Sequence, residues 1–430
     1  MAVQLSMAKV RHLVVTGATA AMLGLAGCGG DDDEDGAGAA GGDAPEQAEG
    51  GVIKMHANFE LSGPGALYGV SKTVGAKAAA EMINEEGGIT VQGKQYTIEV
   101  VECDNRTEPT YGVQCAQEAV DEEVLWTAAP DLGFEGAYEI YKENDILTIG
   151  NGGAASTLLN EELDANPLLT FEFLTYQQNV ESHLKQLRAL YPDAKKVATL
   201  LPNDANGQVQ DEAFRTYAAD YGFEIVAQEL HPTDAAGDFS SFLTNLKAGD
   251  PDVIHLGYYP TVAAAALEQG AQLDAAEIFT AEGLTFNDLE GVSFDGYPLI
   301  GFQTGWNYFE GFMPEDADEQ ALVERFTELA GDQPVLPSII VLGFIGDVMM
   351  IKEAIEAADS LEPEEIVAAY AGVRYDGPFG PADGLDNRAT DVARTPFVVD
   401  ENGEVKAYVF PTGLADEPTE TIEVAESPLG

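Results

Sequence analysis

Glu282 follows a β-rich run directly and sits between Ala281 and Gly283, a place where a carboxylate can meet a ligand ammonium through a charge-assisted hydrogen bond. Surface decoration is the competing account, because 75 acidic residues put carboxylates side by side by chance. Trp126, Phe134, Tyr176, Tyr258 and Tyr259 offer rings that could enclose an amide, an aromatic acid or another compact solute, although each alone also reads as core or rim. The five histidines, His12, His56, His183, His231 and His255, never fall one helical turn apart, so the spacing does not support a zinc or facial-triad site. Neither a Gly-x-Ser-x-Gly elbow nor a complete Gly-x-x-x-x-Gly-Lys-Ser/Thr phosphate loop occurs, and Gly63, Gly65 and Gly69 miss the spacing of a dinucleotide turn. These residue types leave an enzyme unsupported, not excluded.

Such side chains need elements to hold them. Candidate strands run over 52–57, 96–102, 124–128, 146–149, 196–201, 223–228, 252–256 and 277–280. Helical patterns lie between them, at 66–84 with Gly87 and Gly88 behind it, at 109–122 with Pro109 in its first turn, and at 207–221. The alternation predicts an α/β class, with doubly wound parallel sheets covered by helices on both faces. Ligands of such sheets bind beyond the carboxyl ends of the strands, which here are the loops 58–69, 126–136, 150–156, 202–207, 257–261 and 281–287. So many units exceed one small sheet and predict two lobes, with the polar stretch 151–166 and Phe171-Glu172-Phe173 as the passage between them. Farther on, helices are expected at 319–330 and 339–358, and a hairpin at 396–408 around Asp400-Glu401-Asn402-Gly403.

The chain has 430 residues, 45% of them hydrophobic, enough for more than one core. Twenty Lys and Arg against 75 Asp and Glu give a net charge of −55, which repels a phosphate backbone and excludes nucleic acid as a natural partner. The same acidity reads as adaptation to high salt, where screening shortens to about 3 Å at 1 M. Lys9 and Arg11 precede an apolar run, 13–25, too short to span a bilayer, and the whole reads as an export signal. Its end, Leu25-Ala26-Gly27-Cys28, resembles the lipobox of bacterial lipoproteins, which implies a lipidated Cys28 as the first mature residue. Residues 29–51 are small, acidic and glycine-rich, the composition of a flexible tether. Cys103 and Cys115 are then left in an oxidising compartment, either as a disulfide or as two buried thiols.

Leu61-Ser62-Gly63-Pro64, then Tyr68-Gly69, then the run from Ala78 through Glu81-Met82-Ile83-Asn84 to Gly87-Gly88-Ile89, resembles the opening unit of leucine/isoleucine/valine-type solute-binding proteins of ABC importers. Leu201-Pro202-Asn203-Asp204 with Gly207, the stretch 238–253 and Ala281-Glu282-Gly283 extend the resemblance from about Val52 to about Tyr408. It implies a type I periplasmic-binding fold, two lobes joined by three crossovers and closing over a ligand. Lobe 1 would take 51–172 and 306–374, and lobe 2 would take 173–305 and 375–415, leaving 416–430 as a tail. The resemblance places ligand contacts at Tyr68, Gly133, Phe134, Gly153, Ala154, Tyr176, Tyr258 and Glu282. A family hydroxyl is absent from the stretch 131–136, and a second is absent from Asn151-Gly152-Gly153-Ala154 unless Ser156 or Thr157 stands in. The ammonium-holding acid at the start of lobe 2 is replaced within Thr175-Tyr176-Gln177-Gln178, whereas Glu282 matches the other.

The implied partners are a small organic solute, permease subunits with their ATPase, and the membrane through the lipid anchor. The chain is expected as a monomer on the outer face of the cell membrane. A ligand-sensing receptor of the same fold and an extracytoplasmic hydrolase are the alternatives. Neighbouring permease and ATPase genes would favour import over sensing, and turnover of a ligand would favour the hydrolase.

Overall fold

The computed structural model describes residues 50–63, 65–130, 133–232, 237–257, 260–284, 287–302 and 317–423. The expected leader, Cys28 and all but the end of the tether, as well as Tyr258, Tyr259 and the expected second crossover near 305–306, lie outside them.

The first sheet is made by β1 (Gly51–Phe59), β2 (Ile89–Val91), β3 (Lys94–Asp104), β4 (Trp126–Ala128), β5 (Leu147–Gly150) and β6 (Leu169–Phe171). Its order is β2-β3-β1-β4-β5-β6, parallel throughout except for the edge pair β2/β3. From Met55 onward β1 is buried at every residue although its sequence alternates, so its polar members find partners inside: His56 Nδ1 lies 3.3 Å from Thr127 Oγ1 and Asn58 Nδ2 donates to the Tyr141 hydroxyl at 2.8 Å. Helices α1 (Ala66–Glu85), α2 (Pro109–Asp121), α3 (Phe134–Glu143) and α4 (Gly152–Glu161) complete the crossovers. Cys103 at the end of β3 and Cys115 in α2 are disulfide-bonded with a Cα separation of 5.7 Å.

The second lobe continues with α5 (Tyr176–Leu190), β7 (Lys196–Pro202), α6 (Ala205–Tyr217), β8 (Glu224–His231), α7 (Ser240–Lys247), β9 (Val253–Leu256), α8 (Pro260–Gln272), β10 (Ile278–Glu282) and β11 (Leu299–Phe302). Then come α9 (Ala317–Ala330), α10 (Pro337–Phe344), α11 (Met350–Ala358) and α12 (Pro363–Tyr370), followed by β12 (Arg374–Gly377), β13 (Gly380–Gly384), β14 (Thr390–Val392), β15 (Phe397–Val399), β16 (Val405–Val409) and β17 (Glu420–Glu423). The second sheet has the order β17-β16-β15-β11-β10-β9-β7-β8. β7 to β11 are parallel, and the C-terminal strands are added antiparallel through the hairpin at Asp400–Gly403.

Four details depart from the sequence reading. Residues 151–166 are no passage, because α4 lies in that stretch and packs on the first sheet; the chain leaves the lobe only at Glu172, after β6. The expected helix 339–358 is interrupted by a π turn, Ile345–Met349, where Gly346 packs so close to Glu172 that a Cβ would stand 2.5 Å from its carbonyl oxygen. Residues 375–392, expected in lobe 2, form the small sheet β12-β13-β14, and Phe379, Ala382 and Val392 fill the first-lobe core beside Phe326 and Phe344. The expected tail contributes β17, whose residues pair with β16.

Two chain segments run side by side between the lobes. Phe171 bridges Ala389 in parallel, and the Thr390 amide donates to the Phe173 carbonyl at 3.3 Å, so both crossings bend at one place. Beside them lies a buried charge set. Lys72 donates to Glu172 Oε1 at 2.6 Å, and Asp347 on the π turn faces both. Burial alone would lower the Lys72 ammonium, but Glu172 and Asp347 outweigh it and raise its pKa. Burial drives the Asp347 carboxyl well above the usual range.

Candidate functional site

On the first lobe, the cleft-side ends of the strands lead into Tyr68, Gly133 and the start of α4. Gly133 caps α3 with φ +80°, a backbone region that costs a side-chain-bearing residue energy and glycine none. Phe134, next along, is fully buried and stacked on Tyr138 with ring centroids 5.2 Å apart. Trp126 is also fully buried, donating from its indole to the Asp347 carbonyl at 3.1 Å. Both rings therefore serve the core, a role their apolar area favours once helices cover both sheet faces. Tyr68 is half-buried, and its hydroxyl is raised first by burial and then by the charges of Asp288 and Glu282 on the second lobe.

The start of α4 is already engaged. The Gly153 amide donates to Asn206 Oδ1 on α6 of the other lobe at 2.6 Å. A Cβ at Gly153 would stand 2.8 Å from that oxygen and 3.0 Å from the Ala205 carbonyl oxygen, so the approach requires glycine. Ala154 beside it is half-buried. Ser156 and Thr157 have other duties. The Ser156 hydroxyl donates to Gln177 Oε1 at 2.7 Å and accepts from the Tyr176 amide at 2.9 Å, and the Thr157 hydroxyl returns to the Gly153 carbonyl. Tyr176 opens α5 behind a Thr175/Gln178 capping box, with its ring edge-on to Phe173 at 6.1 Å.

On the second lobe, Glu282 closes β10 and is 2% exposed. Its Oε1 accepts from Asn179 Nδ2 at 2.6 Å and its Oε2 from Gln210 Nε2 at 3.2 Å. Asn179 in turn accepts from Arg394 Nη1 at 3.0 Å, and Arg394 is fully buried. Burial pushes the Glu282 carboxyl up to about 7 against the opposing pull of Arg394, and burial brings the Arg394 guanidinium down to about 10. Behind them His183 lies flat on Phe302 at 4.4 Å and 5.5 Å from the His255 ring; burial holds His183 well below its ordinary pKa and His255 at about 3. Both rings are neutral parts of the lobe's core.

The fold thus puts Gly153 of the first lobe against Asn206 and Ala205 of the second, and the charges of Asp288 and Glu282 reach Tyr68 across that junction. Sequence reading missed Asn179, Gln210, Asn206 and Arg394. The available signal was Arg394 itself, a lone cation in Val392-Ala393-Arg394-Thr395-Pro396-Phe397 within a chain that has only 20 Lys and Arg. His56, Cys103 and Glu118 lie close together, but the Cys103 sulfur is committed to its disulfide. No helix among the described residues is long and apolar enough to cross a membrane.

Comparison with known proteins agrees with this geometry. The Leu/Ile/Val-binding protein homolog 1 of Brucella abortus is 24% identical over 324 residues, covering 74% of this chain and 81% of that protein. The solute-binding protein of an R. palustris ABC transporter, solved with 4-hydroxybenzoate, superposes with a TM-score of 0.63 at 19% identity, covering 88% of this chain and 98% of that one. The branched-chain amino acid transporter substrate binding protein of Streptococcus pneumoniae, solved with isoleucine, gives 0.60 at 21% identity, covering 87% and 99%. The sequence profile of the periplasmic binding protein family matches residues 56–400, and the chain belongs to that family.

Proposed function

We propose that this protein is the extracytoplasmic solute-binding component of an ABC importer, tethered to the outer face of the membrane by a lipid on Cys28. It captures a small organic solute between its lobes and presents it to permease subunits driven by an ATPase. The observation that carries this reading is the meeting of two α/β lobes at the carboxyl ends of their parallel strands, where the Gly153 amide of one lobe donates to Asn206 of the other. Closing can bend where residues 171–173 and 388–391 run together, the hinge arrangement that such receptors use. No covalent step is required of any residue. Relatives of the same fold carry either isoleucine or 4-hydroxybenzoate, which supports a compact organic ligand and leaves its charge to this chain's own side chains.

Thermal unfolding of the full chain in molar salt, against amino acids, amides, aromatic acids and polyamines, tests the reading. A ligand at about 100 times its dissociation constant stabilises the native state by about 2.7 kcal/mol, enough to move the melt by several degrees. A cooperative melt that no solute shifts would count against import. Mass spectrometry of the membrane-extracted protein is expected to find a diacylglyceryl-modified Cys28 as the first residue, and an unmodified chain would remove the anchor.

A further inference from the structure

We propose that Arg394 sets the ligand class of this site: through Asn179 it fills, beside Glu282, the place of a ligand ammonium, so the cleft selects solutes that carry no amine. The inference rests on the solute-receptor reading above and goes one step further, to the chemistry of the solute. A carboxylate that is to hold a ligand ammonium must offer at least one oxygen and an uncompensated charge. Glu282 has already committed one acceptor position on each oxygen to its own lobe and lies in the field of a buried guanidinium. Its two oxygens each accept from a side-chain amide of its own lobe, Asn179 at 2.6 Å and Gln210 at 3.2 Å. The nearby positive charge is supplied from within, because Arg394 is fully buried, donates to Asn179 at 3.0 Å and acts electrostatically on Glu282 and on Asp391. A ligand amine would have to share the Glu282 oxygens with two amides and add a second buried cation near the guanidinium, where like charges repel.

What the lobe leaves for a ligand is polar and uncharged. Gln210 Oε1 is buried and has no hydrogen-bond partner among the described residues, an acceptor suited to a hydroxyl or carboxamide donor. On the facing lobe the Gly153 amide is occupied by Asn206, so the start of α4 does not present that donor to an amino-acid carboxylate either. Both charge anchors of a zwitterion are thus met by the protein's own side chains.

Matched solutes test this with the full chain in molar salt: L-leucine against 4-methylpentanoate, L-phenylalanine against 3-phenylpropanoate, and L-leucinamide against 4-methylpentanamide, by calorimetric titration. The expected result is that an amine-free member binds at least tenfold more tightly than its amine-bearing partner. An amine-bearing member that binds as tightly or more tightly in any pair, or failure of every amine-free member to bind, overturns the proposal. Arg394→Gln, provided that it melts cooperatively, is expected to move the ratio at least tenfold toward the amine, and an unchanged ratio would remove Arg394 from the selection. A preference for leucine would leave the receptor reading standing while removing this one, whereas silence across the broader solute panel would remove the receptor reading itself.

Discussion

At the residue scale the decisive fact is burial. Glu282 is raised to about 7 from an ordinary 4.5, so between those values the folded protein keeps a proton that the unfolded chain has released. Stability contributed by this group is therefore present near pH 4.5, falls as pH rises through about 7 and stays lost above it, on the order of 3 kcal/mol in all. Glu282→Gln mimics the protonated acid. Its stability relative to the wild type is expected to rise by that amount between pH 4.5 and 8 in denaturant titrations, and a parallel pair of curves would contradict the assignment. Lys72 makes the complementary point. It is the cation facing the buried carboxyls of Glu172 and Asp347, and Lys72→Met leaves them uncompensated, so a loss of about 3–5 kcal/mol is expected by urea unfolding. A change below about 1 kcal/mol would mean that water reaches the set.

At the element scale, two helices that belong to different lobes meet through a hydrogen bond. The start of α4 gives its Gly153 amide to Asn206 on α6, a contact that also satisfies one of the orphan donors of a helix N-terminus. Asn206→Ala removes the acceptor, and Gly153→Ala keeps it but drives a Cβ against it. Both variants are expected to widen the ligand-free particle, seen as a larger radius of gyration in small-angle scattering, while their melts stay cooperative. Scattering curves that superpose on the wild type would show that the lobes are held by something else. Most elements were legible before the fold was known: α1 and β7 begin at their expected residues, and α2 and β9 lie within a residue of theirs. The small sheet β12-β13-β14 was not, because Gly377, Pro381, Gly384 and the acidic residues among them break any period-two pattern, and the sheet forms only because Phe379 and Ala382 find a core contributed by distant helices.

At the scale of the whole molecule, charge dominates. A net charge of −55 on 430 residues repels itself over about 10 Å at 0.1 M salt and over about 3 Å at 1 M. The melting temperature is accordingly expected to climb by several degrees from about 0.1 to about 2 M potassium chloride, and a flat or falling dependence would separate the acidity from salt adaptation. The basic residues are placed with this in mind. Lys54, Arg325, Lys352 and Arg374 each pair with one or more carboxylates at the surface, where such pairs add little individually, while Lys72 and Arg394 are kept for the interior.

Local patterning was enough to determine the class of the fold, the order of its units and the loops that would face a ligand, because strand and helix periodicity and glycine punctuation act over a few residues and are written directly in the chain. It also marked Glu282, while Gly153 and Tyr68 came from the family resemblance. What it did not determine is whom those residues meet. Asn179, Gln210 and Arg394 lie 103, 72 and 112 positions from Glu282, and Asn206 lies 53 from Gly153, so no window of sequence contains the pairs. Only the closing of two sheets and the return of the C-terminal segment through the hinge bring them together. A carboxylate's meaning, ligand anchor or buried partner of a guanidinium, depends on that distant company, and tertiary structure alone decides it.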